Sequence, residues 1–240
     1  MFHLKFGNAK KLLVFLHGWG ADLNSFLWLK NYFSDYSLLF LDFPGFGKSE
    51  EPHKALFVDD YVCEVKKIVD TFAADEIVLI GHSFGGRVAI KFAEKFQFCF
   101  KEMKVCLIDS AGIKPRHGFN YYFKVKAYKF CKKFSLKSDK FKKLLNKFGS
   151  SDYKKLSNVM RQTFVNVVNE DLSESAKNIG CETLIVWGKQ DKETKLFMAK
   201  KLHKLIKNSK LVVFENAGHF SFLDNKREFL FLLDSFVKKQ

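Results

Sequence analysis

Ser83 lies in Gly81-His82-Ser83-Phe84-Gly85, between the aliphatic run Ile77-Val78-Leu79-Ile80 and a stretch to Phe96 with helical apolar spacing. Serine has little nucleophilic power at neutral pH unless a neighbouring base takes its proton. An imidazole does this well only when an acceptor on its far nitrogen holds the right tautomer. Two further loops offer those partners. Trp187-Gly188-Lys189-Gln190-Asp191 supplies a carboxylate and Asn216-Ala217-Gly218-His219-Phe220 an imidazole. Their chain order, Ser then Asp then His, is the order a Gly-x-Ser-x-Gly strand-to-helix turn requires. Asp109 also follows a strand-like run and is the reserve acid. The chemistry these groups perform together is nucleophilic attack by Ser83, with His219 as base and Asp191 holding the ring.

Such a triad needs a scaffold that brings distant loops to one edge. The turn at Ser83 must be sharp, and Gly81 and Gly85 are expected because side chains two residues either side of the serine would collide across it. Strand patterns fall at 2–6, 12–16, 37–41, 77–80, 104–108, 183–187 and 210–214; helical spacing falls at 24–33, 57–72, 84–96, 194–206 and 220–239. Asn24 or Ser25 is the expected cap of the first helix. This alternation predicts an α/β fold, a mostly parallel sheet with helices on both faces. From Ile113 to about Ile179 the alternation stops, and only amphipathic helical stripes remain, such as Tyr121, Val125, Tyr128 and Phe141, Leu144, Leu145, Phe148. The chain therefore divides into a core of residues 1–112 and 180–240 and a helical insertion of 113–179.

That insertion carries most of the charge. The whole chain has a formal charge of +15, yet Lys114 to Arg161 holds fifteen Lys or Arg against two Asp, a local charge of +13. A solvated helical face, attraction of an anionic substrate or acidic carrier protein, and surface contact with a membrane are all open readings; nucleic acid is not an expected partner. The excess of Phe and Lys fits an AT-rich codon bias as well as a membrane surface. The five cysteines are scattered, with no Cys-x-x-Cys pair, so neither a disulfide framework nor a zinc site is expected. No cofactor or metal is implied. With no secretory leader pattern and no apolar run near the ~18 residues a spanning helix needs, the expected location is cytoplasmic.

The sequence resembles the α/β-hydrolase superfamily, in the subgroup with a helical cap. The resemblance rests on His-Gly-Trp-Gly at 17–20, Asp-x-Pro-Gly-x-Gly-x-Ser at 42–49, the turn at 81–85, Gly-x-x-Asp at 188–191 and Gly-His at 218–219. It implies a cap inserted after the sixth strand and an oxyanion hole from the backbone N–H groups of Phe84 and Trp19. Haloalkane dehalogenases and epoxide hydrolases resemble this chain in fold but carry aspartate where Ser83 stands. Ser83-Phe84-Gly85-Gly86-Arg87 also looks like the corresponding stretch of the superfamily's menaquinone-pathway lyases, which implies Arg87 as a ligand for a substrate carboxylate; a helix-surface ion pair is the alternative. The expected function is a serine hydrolase of a small or medium acyl ester or thioester. A lyase or C–C bond hydrolase using the same triad, and a non-catalytic binding module, are the alternatives.

Overall fold

In the computed structural model, which describes residues 1–114 and 156–238, seven strands make one sheet. They are β1 (His3–Phe6), β2 (Lys11–Leu16), β3 (Ser37–Leu41), β4 (Glu76–His82), β5 (Glu102–Ile108), β6 (Glu182–Gly188) and β7 (Ser209–Phe214). Their spatial order is β1-β3-β2-β4-β5-β6-β7, parallel throughout except for the antiparallel edge pair β1–β3. β4, which leads into Ser83, is the middle strand, with Leu79 in register with Val14 on one side and Val105 on the other.

Side chains alternate between the faces of a strand. Leu12, Val14, Leu16, Leu79 and Leu107 face one apolar core, while Leu13, Phe15, Ile80 and Ile108 face another. The first core is closed by α2 (Val58–Val69), α3 (Phe84–Phe96) and α6 (Leu196–Leu205), the second by α1 (Asn24–Leu27) and α8 (Lys226–Lys238). Because both faces are covered, the central strands read as unbroken apolar runs. Much of the phenylalanine goes here: Phe15, Phe26, Phe33, Phe40, Phe222 and Phe229 are fully buried, and the Phe15 and Phe40 rings stack at 4.4 Å.

The chain leaves the alternating pattern after the fifth strand of this sheet, where the resemblance implied a cap after the sixth. Of the expected insertion, the described part contains α4 (Asn158–Asn169) and α5 (Ser173–Lys177); the stripes at 121–148 and Cys131 lie outside the described residues. α4 starts at Ser157, whose Oγ accepts the Met160 N–H at 3.1 Å, and it docks through Thr163 and Asn166 onto the backbone of Leu56. Two helix boundaries differ from expectation. The first helix has no side-chain cap from Asn24 or Ser25. Its entry is held instead by Asp22, which accepts the Asn24 N–H, and by Asp42, which accepts the Leu23 N–H. The closing helix is broken at Asn225 into α7 (Ser221–Asp224) and α8. Among the described residues no helix is long and apolar enough to cross a membrane, and Cys63, Cys99, Cys106 and Cys181 are unbridged.

Candidate active site

Ser83 stands between β4 and α3 with φ +50° and ψ −109°. A left-handed φ costs a residue with a Cβ about 1–3 kcal/mol and persists only where its surroundings hold it. Here the Ser83 N–H donates to the Ile108 carbonyl at 3.0 Å, and its own carbonyl accepts from Gly86 and Ala111 at 3.1 and 3.0 Å. The glycines make the turn sterically feasible. A Cβ on Gly81 would sit 2.6 Å from the Gly85 carbonyl oxygen, the collision expected across the turn. A Cβ on Gly85 would instead strike the Leu16 carbonyl at the end of β2, so that glycine is required by the neighbouring strand.

The three loops at the C-terminal edge of the sheet meet. His219 Nε2 lies 3.0 Å from Ser83 Oγ, and its Nδ1 lies 2.9 Å from Asp191 Oδ2. The Asp191 side chain is completely buried, and its Oδ1 accepts the N–H groups of Glu193 and Thr194 at 2.8 and 3.0 Å. Burial opposes its charge, but the hydrogen bonds from His219 and Thr194 prevail and hold the carboxyl below its ordinary value. Burial likewise opposes charge on His219, and Asp191 more than offsets it, so the imidazole is more basic than an ordinary histidine. With Asp191 accepting at Nδ1, that nitrogen carries the proton and Nε2 is left to accept from Ser83.

Other polar groups fix these loops. His82 is buried, and burial pushes its pKa down to about 3; the neutral ring donates from Nε2 to the His219 carbonyl at 2.7 Å. Asp224 accepts the Gly218 N–H at 2.8 Å. Thr194, read from the sequence only as the start of a helix, places its hydroxyl 2.6 Å from Asp191 Oδ2, and the Trp187 indole donates to its carbonyl at 2.7 Å. No spacing signal marks Thr194, because its position depends on how the 188–195 loop turns back. Asp109, the reserve acid, does not serve His219: its Oδ1 accepts the Gly188 N–H at 2.8 Å and its Oδ2 the Ser221 N–H at 3.0 Å.

The glycine-rich loops after β2 and β3 support the other side of Ser83. His17 bonds the Gly18 carbonyl through Nδ1 and accepts the Phe43 N–H at Nε2, joining the two loops. Asp42 joins them again by accepting the N–H groups of Leu23 and Lys48, so it pins these loops to each other. Gly18 comes so close that a Cβ there would lie 2.8 Å from His82 Nδ1 and 3.4 Å from Ser83 Cβ. Phe84 begins α3, where a backbone N–H has no carbonyl one turn earlier. Among the described residues neither its N–H nor that of Trp19 has a protein acceptor. The Trp19 indole meets the rings of Phe46, Phe84 and Phe164 edge to face at 4.8, 5.4 and 5.2 Å, an aromatic wall beside the serine.

Arg87 is not where a substrate-binding arginine was expected. It is 5% exposed, and its guanidinium donates to the carbonyls of Glu170 and Val168 at 2.8 and 3.4 Å. These sit at the C-terminal end of α4, where carbonyls lack helical partners, so Arg87 caps that helix. Burial brings its pKa down to about 10, partly offset by Glu170 and Asp171. The surface ion pair is also not found; one turn on, Lys91 makes that contact, bridging Glu170 and Asp59.

A serine at a tight strand-to-helix turn, with its base and acid on later loops of a helix-covered parallel sheet, defines the α/β hydrolases as a class. The chain belongs to the Alpha/beta hydrolase family, whose profile matches residues 13–230, and it is a hydrolytic enzyme. It is 27% identical over 243 residues to the AB hydrolase superfamily protein YisY of Bacillus subtilis, covering 93% of this chain and 90% of that one. It is 29% identical over 270 residues to the pimeloyl-[acyl-carrier protein] methyl ester esterase of Wigglesworthia glossinidia brevipalpis, covering 97% and 96%. In fold it is similar to the esterase of Exiguobacterium antarcticum, with TM-score 0.76 and 24% identity over 99% of this chain and 95% of that one.

Proposed function

We propose that this enzyme hydrolyses a small or medium acyl ester or thioester through an acyl-enzyme on Ser83. The observation that carries the reading is the contact chain from Ser83 Oγ through His219 to Asp191, at 3.0 and 2.9 Å. His219 Nε2 takes the hydroxyl proton as Ser83 attacks the acyl carbon, and Asp191 stabilises the resulting imidazolium. Charge that builds on the carbonyl oxygen is met by the N–H groups of Phe84 and Trp19; losing one such donor costs about 3 kcal/mol in the transition state. His219 then protonates the leaving alcohol or thiol and next removes a proton from water, which releases the acid.

The aromatic wall at Trp19 suits an apolar acyl chain, and residues 113–179 form the cap in this reading, with α4 against the wall through Phe164. The +13 charge between Lys114 and Arg161 favours an anionic acyl group or one borne on an acidic carrier. The resemblance to a carrier-protein methyl ester esterase supports the same choice. The lyase alternative loses its main support, since the Arg87 donors are engaged at the end of α4. Labelling of Ser83 by a fluorophosphonate and turnover of p-nitrophenyl acyl esters are the expected results. Full esterase activity in Ser83→Ala would end the proposal.

A further inference from the structure

We propose that Asp109 is a positioning residue for the triad, a buried brace that joins the loop bearing Asp191 to the loop bearing His219. Its two oxygens divide between those loops: Oδ1 accepts from Gly188, three residues before Asp191, and Oδ2 from Ser221, two residues after His219. The brace is itself anchored. The Asp109 N–H donates to Val186 at 3.0 Å in the neighbouring strand, its carbonyl lies 2.9 Å from Thr194 Oγ1, and its φ is +43°. The Asp109 side chain is fully buried, so no water competes for its oxygens.

Two consequences follow from the geometry. Loss of either bond lets one loop move relative to the other, and a shift of about 1 Å between reacting groups costs on the order of 100-fold in rate. Asp109 also adds negative charge near the His219 ring, which is faced by Asp191 and Glu193 as well and packed against the neutral His82. Asp109 therefore supports the basicity of His219 through space while Asp191 does so by contact. Burial, partly offset by the two N–H donors and reinforced by Asp191, pushes the Asp109 carboxyl up to about 7, so the brace loosens when it takes a proton.

This inference rests on the triad reading, and Ser83→Ala tests that reading separately. In Asp109→Asn one oxygen becomes an NH2 group facing an N–H, so one bond is lost while volume is kept. With sites counted by fluorophosphonate titration, the variant is expected to lose about 10- to 100-fold in kcat, with KM within about twofold. The acid limb of its kcat/KM profile should move to lower pH, because removing a nearby negative charge makes His219 less basic. A titrated variant with wild-type kcat and an unmoved acid limb would overturn the proposal. Should the variant not fold, the wild-type enzyme decides. The amide protons of Gly188 and Ser221 should both be protected from hydrogen exchange, as donors to a buried acceptor are. Fast exchange at either amide would equally reject the brace.

Discussion

At the scale of single residues, the site is a set of protons whose positions are fixed by neighbours. The Asp191 carboxylate selects the His219 tautomer, and Thr194 with two backbone N–H groups keeps that carboxylate charged inside the protein. His219 works as a base only when neutral. Since its pKa is raised above 6.5, activity is lost as pH falls through a midpoint higher than that of an ordinary histidine. Asp191→Asn removes both the acceptor and the charge; kcat should drop on the order of 10⁴-fold. The residual activity should keep an acid limb displaced to lower pH. A pH–rate profile of both enzymes checks this, and a variant with an unmoved limb would mean that another carboxylate sets the base. Ser83, Asp191 and His219 were legible in the sequence because type, spacing and chain order are constrained together. Thr194 and the brace formed by Asp109 were not, because a hydrogen bond between loops distant in sequence leaves no local pattern.

At the scale of elements, α3 does more than present the serine. Its first residue offers the Phe84 N–H, its next turn places Arg87 on the carbonyl end of α4, and the turn after that places Lys91 on Glu170 and Asp59. One helix thus connects the nucleophile to the segment that returns from the basic insertion. Arg87→Ala takes the guanidinium donors from the Glu170 and Val168 carbonyls at the end of α4. The expected cost is about 2 kcal/mol of stability, a fall in Tm of roughly 4–8 °C for a domain of this size. Thermal unfolding measures it. Turnover per titratable Ser83 should stay within about threefold of wild type, whereas a carboxylate-binding Arg87 would give a large rise in KM for an acidic substrate. The elbow was expected from its two glycines, yet only Gly81 is required by the turn itself; Gly85 answers to the Leu16 carbonyl of β2, a neighbour that no pattern within 81–85 reveals.

At the scale of the whole molecule, charge and structure divide along the chain. Outside the stretch from Lys114 to Arg161 the formal charge is only +2, so the field of the protein comes from the segment expected to lie above the site. If that field gathers anionic substrate, kcat/KM for an acyl ester with a terminal carboxylate should fall several-fold between about 0.01 and 0.15 M salt, as the Debye length contracts from about 30 to 8 Å. A neutral ester of the same length should hardly respond. Equal salt dependence for the two substrates would remove the steering argument.

The sequence alone determined the fold class and narrowed the reacting groups to Ser83, His219 and one of two carboxylates, Asp191 or Asp109. Buried parallel strands, a strand-to-helix serine turn and ordered catalytic loops each impose residue types at short range. Only the tertiary structure decided which carboxylate touches His219, that Arg87 serves a helix end, and that Asp109 ties two loops together. Those outcomes depend on distances of about 3 Å between residues 28 to 112 positions apart. Such separations are set by how the strands are ordered in the sheet and how each loop turns at its edge.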